Sequence, residues 1–423
     1  MISVLHNLAR SRRMGGPAGI TSVCSAHPIV IRAALRHAVG RDGAVLIEAT
    51  CNQVNQFGGY TGLKPSDFVA LVEQIASEEG LPWEKVILGG DHLGPNPWRG
   101  EAAEVAMAKA EDLVAAYVDA GFRKLHLDTS MGCAGEPTAL DDTMTAGRAV
   151  RLAAVAERFA TSANSKPVYV IGTEVPPPGG AHHVITALEP TGVEAARKTI
   201  ALHRTRFEEA GLGEAFSRVL ALVVQPGVEF GNKNVIVYDR AAARSLSALL
   251  EEEAAIVYEA HSTDYQGADA LRELVEDGFA ILKVGPELTF ALREALYGLD
   301  LIASDSVAGY PSRNLMAVME ALMREYPGHW AGHYSGSEAE QHILRHYSYS
   351  DRIRYYWNHP AAEAAVLRLT EALVSRIIPA PLFRQHLPRL ARYAGTPLNP
   401  QELLIDAVRA VLDEYQSAHE RRR

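Results

Sequence analysis

Cysteine is scarce in this sequence: only Cys24, Cys51 and Cys133 occur among its 423 residues. Their wide spacing excludes a disulfide framework and a CxxC metal or redox motif. The fold therefore depends on a buried apolar core, for which 48% hydrophobic residues are sufficient. Such sparse cysteine usage is typical of a reducing compartment, and we expect a cytoplasmic protein.

Long apolar runs and an excess of positive charge are also missing. No segment approaches the ~18 consecutive apolar residues of a membrane span, and the basic segment 1–16 lacks the apolar region of a signal peptide. Asp and Glu outnumber Lys and Arg by 51 to 41, a formal net charge of −10. These features argue against a membrane protein and a nucleic-acid binder. An anionic sugar phosphate is not excluded, because an acidic protein can carry a local cationic pocket.

Two glycine-rich phosphate-binding patterns are absent as well. No GxGxxG fingerprint follows the first predicted strand, which argues against a doubly wound dinucleotide-binding sheet. No GxxxxGK[ST] run occurs, which argues against a sugar kinase of the P-loop type.

Eight short apolar runs alternate with alanine- and leucine-rich segments. The runs are 19–27, 44–50, 85–92, 124–130, 167–174, 220–229, 255–262 and 280–287. Each is apolar through its middle, as in parallel strands covered on both faces. Intervening segments such as 65–80 and 103–121 are amphipathic and end in glycine, as helices do. This alternation predicts an α/β fold, a (β/α)8 TIM barrel over residues 1–325.

After about residue 325 the pattern changes. Residues 326–423 are first aromatic-rich and then helical. No low-complexity linker separates them from the barrel. We therefore expect a C-terminal helical extension packed on the barrel.

The ends of the predicted strands are unusually polar, and the active site of a TIM barrel lies at these ends. The candidates at or just beyond them are Glu48, Asn52, Gln53, Gln56, Asp91, His92, Asp128, Ser130, Glu174, Glu229, His261, Ser262, Asp264 and Lys283. Any one of them is more often a helix cap than a functional group. So many charged groups converging on one cavity need compensation, however, which a divalent metal would provide.

Two histidines and one carboxylate on different strands suit Zn²⁺ or Mn²⁺ and leave positions open for substrate oxygens. We assign His92, Glu229 and His261 as the metal ligands, with Glu174 as a competing carboxylate. Asp91, directly before a ligand, is the candidate for proton transfer. Asp128 and Glu174 complete the catalytic candidates.

The remaining polar candidates are assigned to the substrate. The amide-rich stretch 52–62, with Asn52, Gln53 and Gln56, is predicted to contact sugar hydroxyls. Glu48, Ser130, Ser262, Asp264 and Lys283 are further substrate-binding candidates. The stretch RIRYYW (352–357) is more often a packed aromatic face, but Arg352 and Arg354 could supply cations for a phosphate.

Nine segments together resemble the Z-type, non-catalytic subunit family of tagatose-1,6-bisphosphate aldolase, which has also been labelled tagatose-6-phosphate kinase. The segments are SVCSAHPIVIRAAL, IEATCNQVNQFGGYTG, ILGGDHLGPN, KLHLDTSMGC, VYVIGTEVPPPGG, VVQPGVEFGN, YEAHSTDYQ, LKVGPELTFALREAL and HYSYSDRIRYYW. The chain is more distantly similar to class II zinc aldolases. That similarity matches Asp91 to their proton-transfer aspartate, His92 to the first zinc ligand, Glu174 to the fifth-strand acid and His261 to the last ligand.

The sequence departs from the aldolases at two places. The sixth-strand histidine ligand has no counterpart, and Glu229 stands in its place. After His261, STDYQ replaces the glycine-rich phosphate loop.

The resemblance implies two alternative functions. As an enzyme, the protein would use a metal to chelate the C2 carbonyl and C3 hydroxyl of a ketohexose or its 6-phosphate and stabilise an enediolate. Asp91 or Glu174 would remove the C4 hydroxyl proton, and rotation of the aldehyde before re-addition would give C4 epimerisation. As a partner protein, the barrel would stabilise a catalytic aldolase subunit without doing chemistry. The acid and histidines that remain favour the enzyme, and we expect a homo-oligomer.

Overall fold

The computed structural model describes residues 3–15, 19–162, 165–172 and 188–420. Eight parallel strands in this part of the chain close into one barrel. They are β1 (Ile20–Cys24), β2 (Val45–Thr50), β3 (Val86–Leu93), β4 (Lys124–Leu127), β5 (Val168–Ile171), β6 (Val219–Val224), β9 (Val257–Ala260) and β10 (Ile281–Val284). A short antiparallel hairpin of β7 (Glu229–Phe230) and β8 (Val235–Ile236) follows β6.

Neighbouring strands of the barrel follow the order of the chain. Strand β1 closes the ring by pairing with both β2 and β10. Helices follow every barrel strand. The structure therefore confirms the predicted (β/α)8 TIM barrel.

The helices surround the barrel and continue beyond its last strand. They are α1 (Ser3–His6), α2 (Leu8–Arg13), α3 (Pro28–Ala38), α4 (Pro65–Glu78), α5 (Ala103–Ala120), α6 (Asp142–Phe159), α7 (Val193–Glu209), α8 (Gly213–Phe216), α9 (Arg240–Ala248), α10 (Gly267–Glu276), α11 (Pro286–Ser306), α12 (Asn314–Glu325), α13 (Glu338–Tyr347), α14 (Pro360–Leu373), α15 (Ala380–His386) and α16 (Pro400–His419). No helix among the described residues is long and apolar enough to cross a membrane.

The C-terminal helices α14, α15 and α16 pack against α11, the helix that follows the last barrel strand. Helix α16 contacts α3, α10 and α11 and so joins the outer layer of the barrel. Its start is set by Asn399, whose side chain accepts hydrogen bonds from the backbone N–H groups of Gln401 and Glu402. The C-terminal helix α16 therefore belongs to the outer layer of helices, next to α3 from the start of the barrel and to α10 and α11 from its end.

The barrel interior has an apolar end and a charged end. Near the N-terminal ends of the strands, Ile20, Leu46 and Ile87 are buried in one cluster with Leu5 and Leu8 of the N-terminal helices. Helices α1 and α2 thus close this end of the barrel. Because side chains alternate along a strand, the next residues that point the same way lie two positions later.

Those next residues are polar or glycine. After Ile20 comes Ser22, after Leu46 comes Glu48, and after Ile87 comes Gly89. The same alternation leads from the apolar end to the carboxyl ends of the strands, where the predicted site residues lie.

Candidate active site

Glycines beside Asp91 and His92 make room for a charged interior. A Cβ atom on Gly89 would lie 2.5 Å from Oε1 of Glu48, and a Cβ atom on Gly94 would lie 1.7 Å from the backbone oxygen of Asp128. Side chains at these two positions are therefore incompatible with the observed packing. The glycines of GGDHLG let neighbouring strands and their charged side chains approach β3 closely.

A local irregularity brings both Asp91 and His92 into one cavity. The register between β3 and β4 shifts between Gly90 and Leu93, and His92 adopts a left-handed φ of 50°. Such a bulge re-aims a side chain that regular alternation would place on the other face. Both side chains are buried and both line the same cavity. Left-handed backbone at a non-glycine residue is strained and is typical of functional sites.

Three histidines meet at this end of the barrel. The ring of His92 lies 5.0 Å from that of His126 and 4.9 Å from that of His261, and the rings of His126 and His261 are 5.1 Å apart. The sequence analysis did not select His126. Its signal was the spacing in KLHLDTS, which places His126 and Asp128 two residues apart on the same face of β4.

Each of the three imidazoles has a carboxylate partner. Nδ1 of His92 lies 2.8 Å from Oδ2 of Asp128, and Nδ1 of His126 lies 2.9 Å from Oδ1 of Asp91. Nε2 of His261 lies 3.0 Å from Oε1 of Glu259. Such pairs orient an imidazole and leave its second nitrogen for another partner, as in carboxylate–histidine–metal triads.

A layer of buried ion pairs lies against the histidines. Nζ of Lys124 lies 2.6 Å from Oε1 of Glu48 and 2.6 Å from Oε2 of Glu259. Nζ of Lys283 lies 2.9 Å from Oε2 of Glu48 and 3.5 Å from Oε1 of Glu259, and it also pairs with Asp91. Lys124 and Glu259 were missing from the candidates drawn from the sequence. Both could have been noticed as charged residues inside otherwise apolar runs. Lys124 stands two positions before His126, and Glu259 stands two positions before His261.

The charges of this cluster do not balance. Its carboxylates are those of Glu48, Asp91, Asp128 and Glu259, and its ammonium groups are those of Lys124 and Lys283. With neutral imidazoles the formal charge is therefore −2. Uncompensated buried charge is unfavourable, so the cluster is suited to a cation.

The pKa values in the cluster favour ionised carboxylates. Burial opposes protonation of His92, but the carboxylates of Asp91 and Asp128 raise its pKa above the usual value. Burial disfavours the ionised form of Asp91, but the nearby His92 and Lys283 hold the pKa of this carboxyl well below its usual value. Asp128 is likewise buried, yet its hydrogen bond with His92 lowers its pKa to about 2. Burial lowers the pKa of His261 to about 3, which keeps this imidazole neutral and able to bind a metal.

Four of these side chains offer ligand atoms that lie close together. One atom each from Asp91, His126, Glu259 and His261 lies within 4.8 Å of the others. In addition, Nε2 of His126 is buried without a hydrogen-bond partner among the described residues. An unpartnered nitrogen in a negatively charged cluster is what a metal ligand requires.

The cluster opens into a cavity of about 680 Å³. Of the residues selected from the sequence, those that line it are Asn52, Gln53, Asp91, His92, His261, Ser262, Asp264, Lys283 and Arg354. Those that do not are Glu48, Gln56, Asp128, Ser130, Glu229 and Arg352. Glu174 lies outside the described residues. Lining residues that the sequence analysis had not assigned to the site include Cys24, Tyr60, Tyr355 and Asn358.

Glu229, the third predicted metal ligand, does not line the cavity that His92 and His261 line. Its Oε1 accepts a hydrogen bond of 3.0 Å from the backbone N–H of Phe230, and its carboxyl group is also hydrogen-bonded to the side chain of Ser262. Of the three predicted metal ligands, only His261 belongs to the group whose ligand atoms lie within 4.8 Å of one another; Glu229 and His92 do not. Burial raises the pKa of Glu229 to about 7.

Several other candidates have structural partners. Gln56 donates to the backbone oxygen of Lys109 at 2.8 Å, and Ser130 donates to Oδ1 of Asp128 at 2.9 Å. Gln53 lines the cavity, but its Oε1 accepts from the backbone N–H of Thr50 at 2.9 Å. These contacts engage the three side chains within the protein, and Gln56 and Ser130 do not line the cavity.

A carboxylate occupies the helix N-terminus where a barrel of this kind often binds phosphate. Oδ1 of Asp264 accepts hydrogen bonds from the backbone N–H groups of Gly285 at 3.0 Å and Glu287 at 2.8 Å, at the start of α11. The loops after the seventh and eighth barrel strands, here β9 and β10, are the usual phosphate position. Burial raises the pKa of Asp264 to about 6.

The two arginines of RIRYYW have different surroundings. Arg354 lines the cavity, donates to the hydroxyl of Tyr355 at 2.9 Å and lies 4.4 Å from the centre of the Tyr355 ring. Arg352 is buried away from the cavity and donates to the backbone oxygen of His329 at 3.0 Å. Only Arg354 of the pair is placed to meet a ligand in this cavity.

Comparisons with known proteins identify the family of this chain. The family model of the D-tagatose-1,6-bisphosphate aldolase subunit GatZ/KbaZ-like proteins matches residues 5–420. A D-tagatose 6-phosphate 4-epimerase of Agrobacterium fabrum (strain C58) is 60% identical over 419 residues, which cover 99% of both chains. A crystal structure described as a probable tagatose 6 phosphate kinase from Sinorhizobium meliloti 1021 is 57% identical. It superposes with a TM-score of 0.86 and covers 95% of this chain and 100% of its own. The chain therefore belongs to the GatZ/KbaZ-like family of D-tagatose-1,6-bisphosphate aldolase subunits.

Proposed function

We propose that this protein is a metal-dependent ketohexose 6-phosphate 4-epimerase that interconverts tagatose- and fructose-type sugars by C3–C4 retro-aldol chemistry. The observation that carries the proposal is the buried cluster of three carboxylate-paired imidazoles with a formal charge of −2 at the mouth of the barrel. The relative that is 60% identical over 99% of both chains is named a D-tagatose 6-phosphate 4-epimerase, which supports this substrate.

His126 and His261 would hold a divalent ion such as Zn²⁺ or Mn²⁺ together with the Asp91 carboxylate. His92, whose ring lies 5.0 Å from that of His126 and 4.9 Å from that of His261, would be a further ligand. The fit rests on the unpartnered Nε2 of His126 and on the two negative charges that the lysines leave unbalanced. When bound, the ion would polarise the sugar carbonyl and stabilise the negative charge of an enediolate. Glu229, the carboxylate ligand predicted from the sequence, is less suitable because it neither lines the cavity nor belongs to the group of close ligand atoms.

Asp91 would move the proton of the C4 hydroxyl. It lines the cavity and lies between His126 and Lys283. These two partners hold the carboxylate in one orientation, with a second oxygen for the substrate. Removal of the C4 hydroxyl proton turns the C4–O bond into a carbonyl and breaks the C3–C4 bond, and the electron pair is left on C3 as an enediolate. After the aldehyde rotates, C3 adds to its other face, and the proton returns to the C4 oxygen. Glu174 remains the second candidate for this proton.

Arg354 would bind the 6-phosphate. Among the described residues that line the cavity, the lysine and arginine side chains are Lys283 and Arg354. Lys283 is engaged by three carboxylates, and the N-terminus of α11 is occupied by Asp264. This leaves Arg354 as the cation for the phosphate, with Asn52 and Gln53 of the same cavity facing the hydroxyls.

The activity is tested by incubating the protein alone with tagatose 6-phosphate and following the configuration at C4 by NMR. We expect conversion to fructose 6-phosphate, loss of conversion in His92→Ala and His261→Ala, and a bound metal in the parent protein that both variants have lost. Arg354→Gln should raise KM for the phosphorylated sugar but leave any turnover of the free sugar unchanged. A parent protein that binds no metal would contradict the mechanism.

The alternative is a supporting subunit without chemistry of its own. It is favoured by the family description, which names a subunit of D-tagatose-1,6-bisphosphate aldolase. Under this alternative the protein alone would be silent, and aldolase activity would appear only after a catalytic subunit is added. Gel filtration of the protein alone and of the mixture would also test the predicted homo-oligomer. A cytoplasmic location remains part of the proposal.

A further inference from the structure

A second cluster of possible metal ligands lies outside the barrel, on helices α12 and α13. We call Glu320, His342 and His346 the α12–α13 cluster. Oε1 of Glu320 lies 3.3 Å from Nδ1 of His342, and Oε2 of Glu320 lies 3.0 Å from Nε2 of His346. One ligand atom of each residue lies within 4.8 Å of the other two.

The helix geometry brings these groups together. His342 and His346 are four residues apart on α13, so they share one face of the helix, and their ring centres are 4.8 Å apart. Helix α13 begins with a capping box in which Ser337 and Glu340 satisfy each other's backbone N–H groups. The two histidines therefore lie on a helix with a well-defined start, facing a carboxylate from the helix before it.

The buried histidine has a partner that leaves its other nitrogen available. Nδ1 of His346 lies 2.7 Å from the hydroxyl of Tyr297. A hydroxyl oxygen can accept the Nδ1 proton, and Nε2 then carries the lone pair that binds a metal. The side chain of His346 is fully buried, so the packing around it fixes the orientation of its ring.

Arg345 holds the carboxylate in place. Its guanidinium contacts both oxygens of Glu320, at 2.9 and 2.6 Å, and contacts Glu338 at 2.9 Å. Each carboxylate oxygen has two lone pairs, so an oxygen that accepts from Arg345 can still bind an ion. Because Arg345 divides its charge between two carboxylates, it does not neutralise both of them.

The α12–α13 cluster is accessible from solvent. The side chain of His342 is 44% exposed and that of Glu320 is 20% exposed. An ion can therefore enter from solvent and take water as its remaining ligand. We propose that the α12–α13 cluster binds one Zn²⁺ through Glu320, His342 and His346 and thereby ties α12 to α13. Two imidazoles and one carboxylate are a common donor set for zinc.

This site would support the cavity without taking part in the chemistry. The chain runs from α13 directly into residues 348–356, which contain the cavity arginine Arg354. An ion that joins α12 to α13 would hold the start of that segment, and binding to the folded state alone stabilises the protein. The inference stands on its own geometry and is independent of the proposed epimerase activity.

The test uses the full-length protein after its metals have been removed with a chelator. Co²⁺ is titrated as a spectroscopic substitute for Zn²⁺, and bound metal per chain is measured by elemental analysis. We expect His342→Ala to bind one equivalent less than the parent, and Zn²⁺ to raise its Tm less than that of the parent. Since His342 is half-exposed, this variant should fold, which far-UV circular dichroism checks.

His386→Ala is the matched control, because His386 is another histidine paired with a carboxylate, Asp305, at a distant surface position. It should bind as much metal as the parent. His261→Ala should lose the metal of the barrel but keep that of the α12–α13 cluster, so failure of one site is distinguishable from failure of the other. Equal metal content and equal Zn²⁺-dependent Tm shifts in His342→Ala and the parent would overturn the inference.

Discussion

The two ends of the barrel interior are built on the same strands but differ in chemistry. At the N-terminal end, Ile20, Leu46 and Ile87 pack in an apolar cluster that Leu5 and Leu8 close. Two residues further along the strands, Glu48, Lys124 and Glu259 form buried ion pairs, and the histidines follow beyond them. The apolar end stabilises the barrel by removing hydrocarbon from water.

The charged end stabilises the fold much less. Ion pairs in a buried layer recover the lost hydration of their charges only when every partner is present. What this layer provides instead is orientation: Glu259 contacts His261, and Glu48 contacts Lys283. The two ends therefore divide stability and site geometry between them. A truncation at the apolar end should lower stability alone, whereas a substitution next to the charged layer should also disturb the site.

The largest effect should come from removing one charge of the layer. Lys124→Met removes one of the two lysines that pair with the buried carboxylates of Glu48 and Glu259, for a loss of about 3–5 kcal/mol in the free energy of unfolding. Urea denaturation measures this loss. Lys166→Met is the control, since Lys166 forms its ion pairs at the surface and should matter little. Equal stability of Lys124→Met and the parent would show that the buried carboxylates do not depend on this cation.

At the apolar end, Leu46→Ala should leave a cavity and cost about 3 kcal/mol of unfolding free energy. Its effect on activity should be small, because the ion pairs and the histidines keep their partners. Urea denaturation together with the C4 epimerisation assay at 25 °C would separate stability from activity. A loss of activity as large as that of His261→Ala would show that the apolar end also shapes the site.

A smaller loss of stability is expected from adding a side chain at Gly89, which lies between the apolar end and the charged end of the barrel interior. In Gly89→Ala the new Cβ atom would lie 2.5 Å from Oε1 of Glu48, so that side chain must move, at a cost of about 1–3 kcal/mol. Because Glu48 contacts Lys283, metal affinity and kcat should also fall.

Gly147→Ala provides the matched control for this substitution. Gly147 lies inside α6 with no atom within 4 Å of an added Cβ, so alanine should stabilise the helix by up to about 1 kcal/mol. Thermal unfolding of the two variants should therefore shift Tm in opposite directions. A shift in the same direction would contradict the close packing at Gly89.

The smallest effect concerns the pH dependence of stability at the mouth of the barrel. Burial raises the pKa of Glu229 from 4.5 to about 7. The folded state therefore binds a proton more tightly than the unfolded state, and the stability from this group is lost as pH rises from about 4.5 to about 7. Glu229→Gln should reduce the fall in Tm between pH 4.5 and pH 7 by a few degrees. An unchanged slope would show that Glu229 is ionised in the folded protein, as a metal ligand would be.

Part of the site was readable from the sequence because its residues stand where apolar strands end. Asp91 and His92 follow such a run directly, and His261 does so on another strand; all three line the cavity. The charged residues inside the runs were harder to recognise. Lys124 and Glu259 were read as parts of apolar strands, since local hydrophobicity does not reveal that they meet across the barrel interior.

The sequence also could not distinguish between the two arginines of RIRYYW. Arg352 and Arg354 are two residues apart and chemically identical, yet one contacts the backbone at His329 and the other lines the cavity. A short 3-10 helix sets their directions, and no sequence pattern distinguishes them. Similarly, the position of Asp264 at the start of α11 depends on how two loops meet.

The sequence by itself determined the barrel, because eight apolar runs of strand length alternating with amphipathic helices have few other ways to bury their apolar faces. It also determined that an acid and histidines gather at the carboxyl ends of the strands. Only the tertiary structure decided which side chains complete the cluster. The reason is that His126 and Glu259 acquire their role from partners on other strands, and those contacts exist only once the barrel has closed.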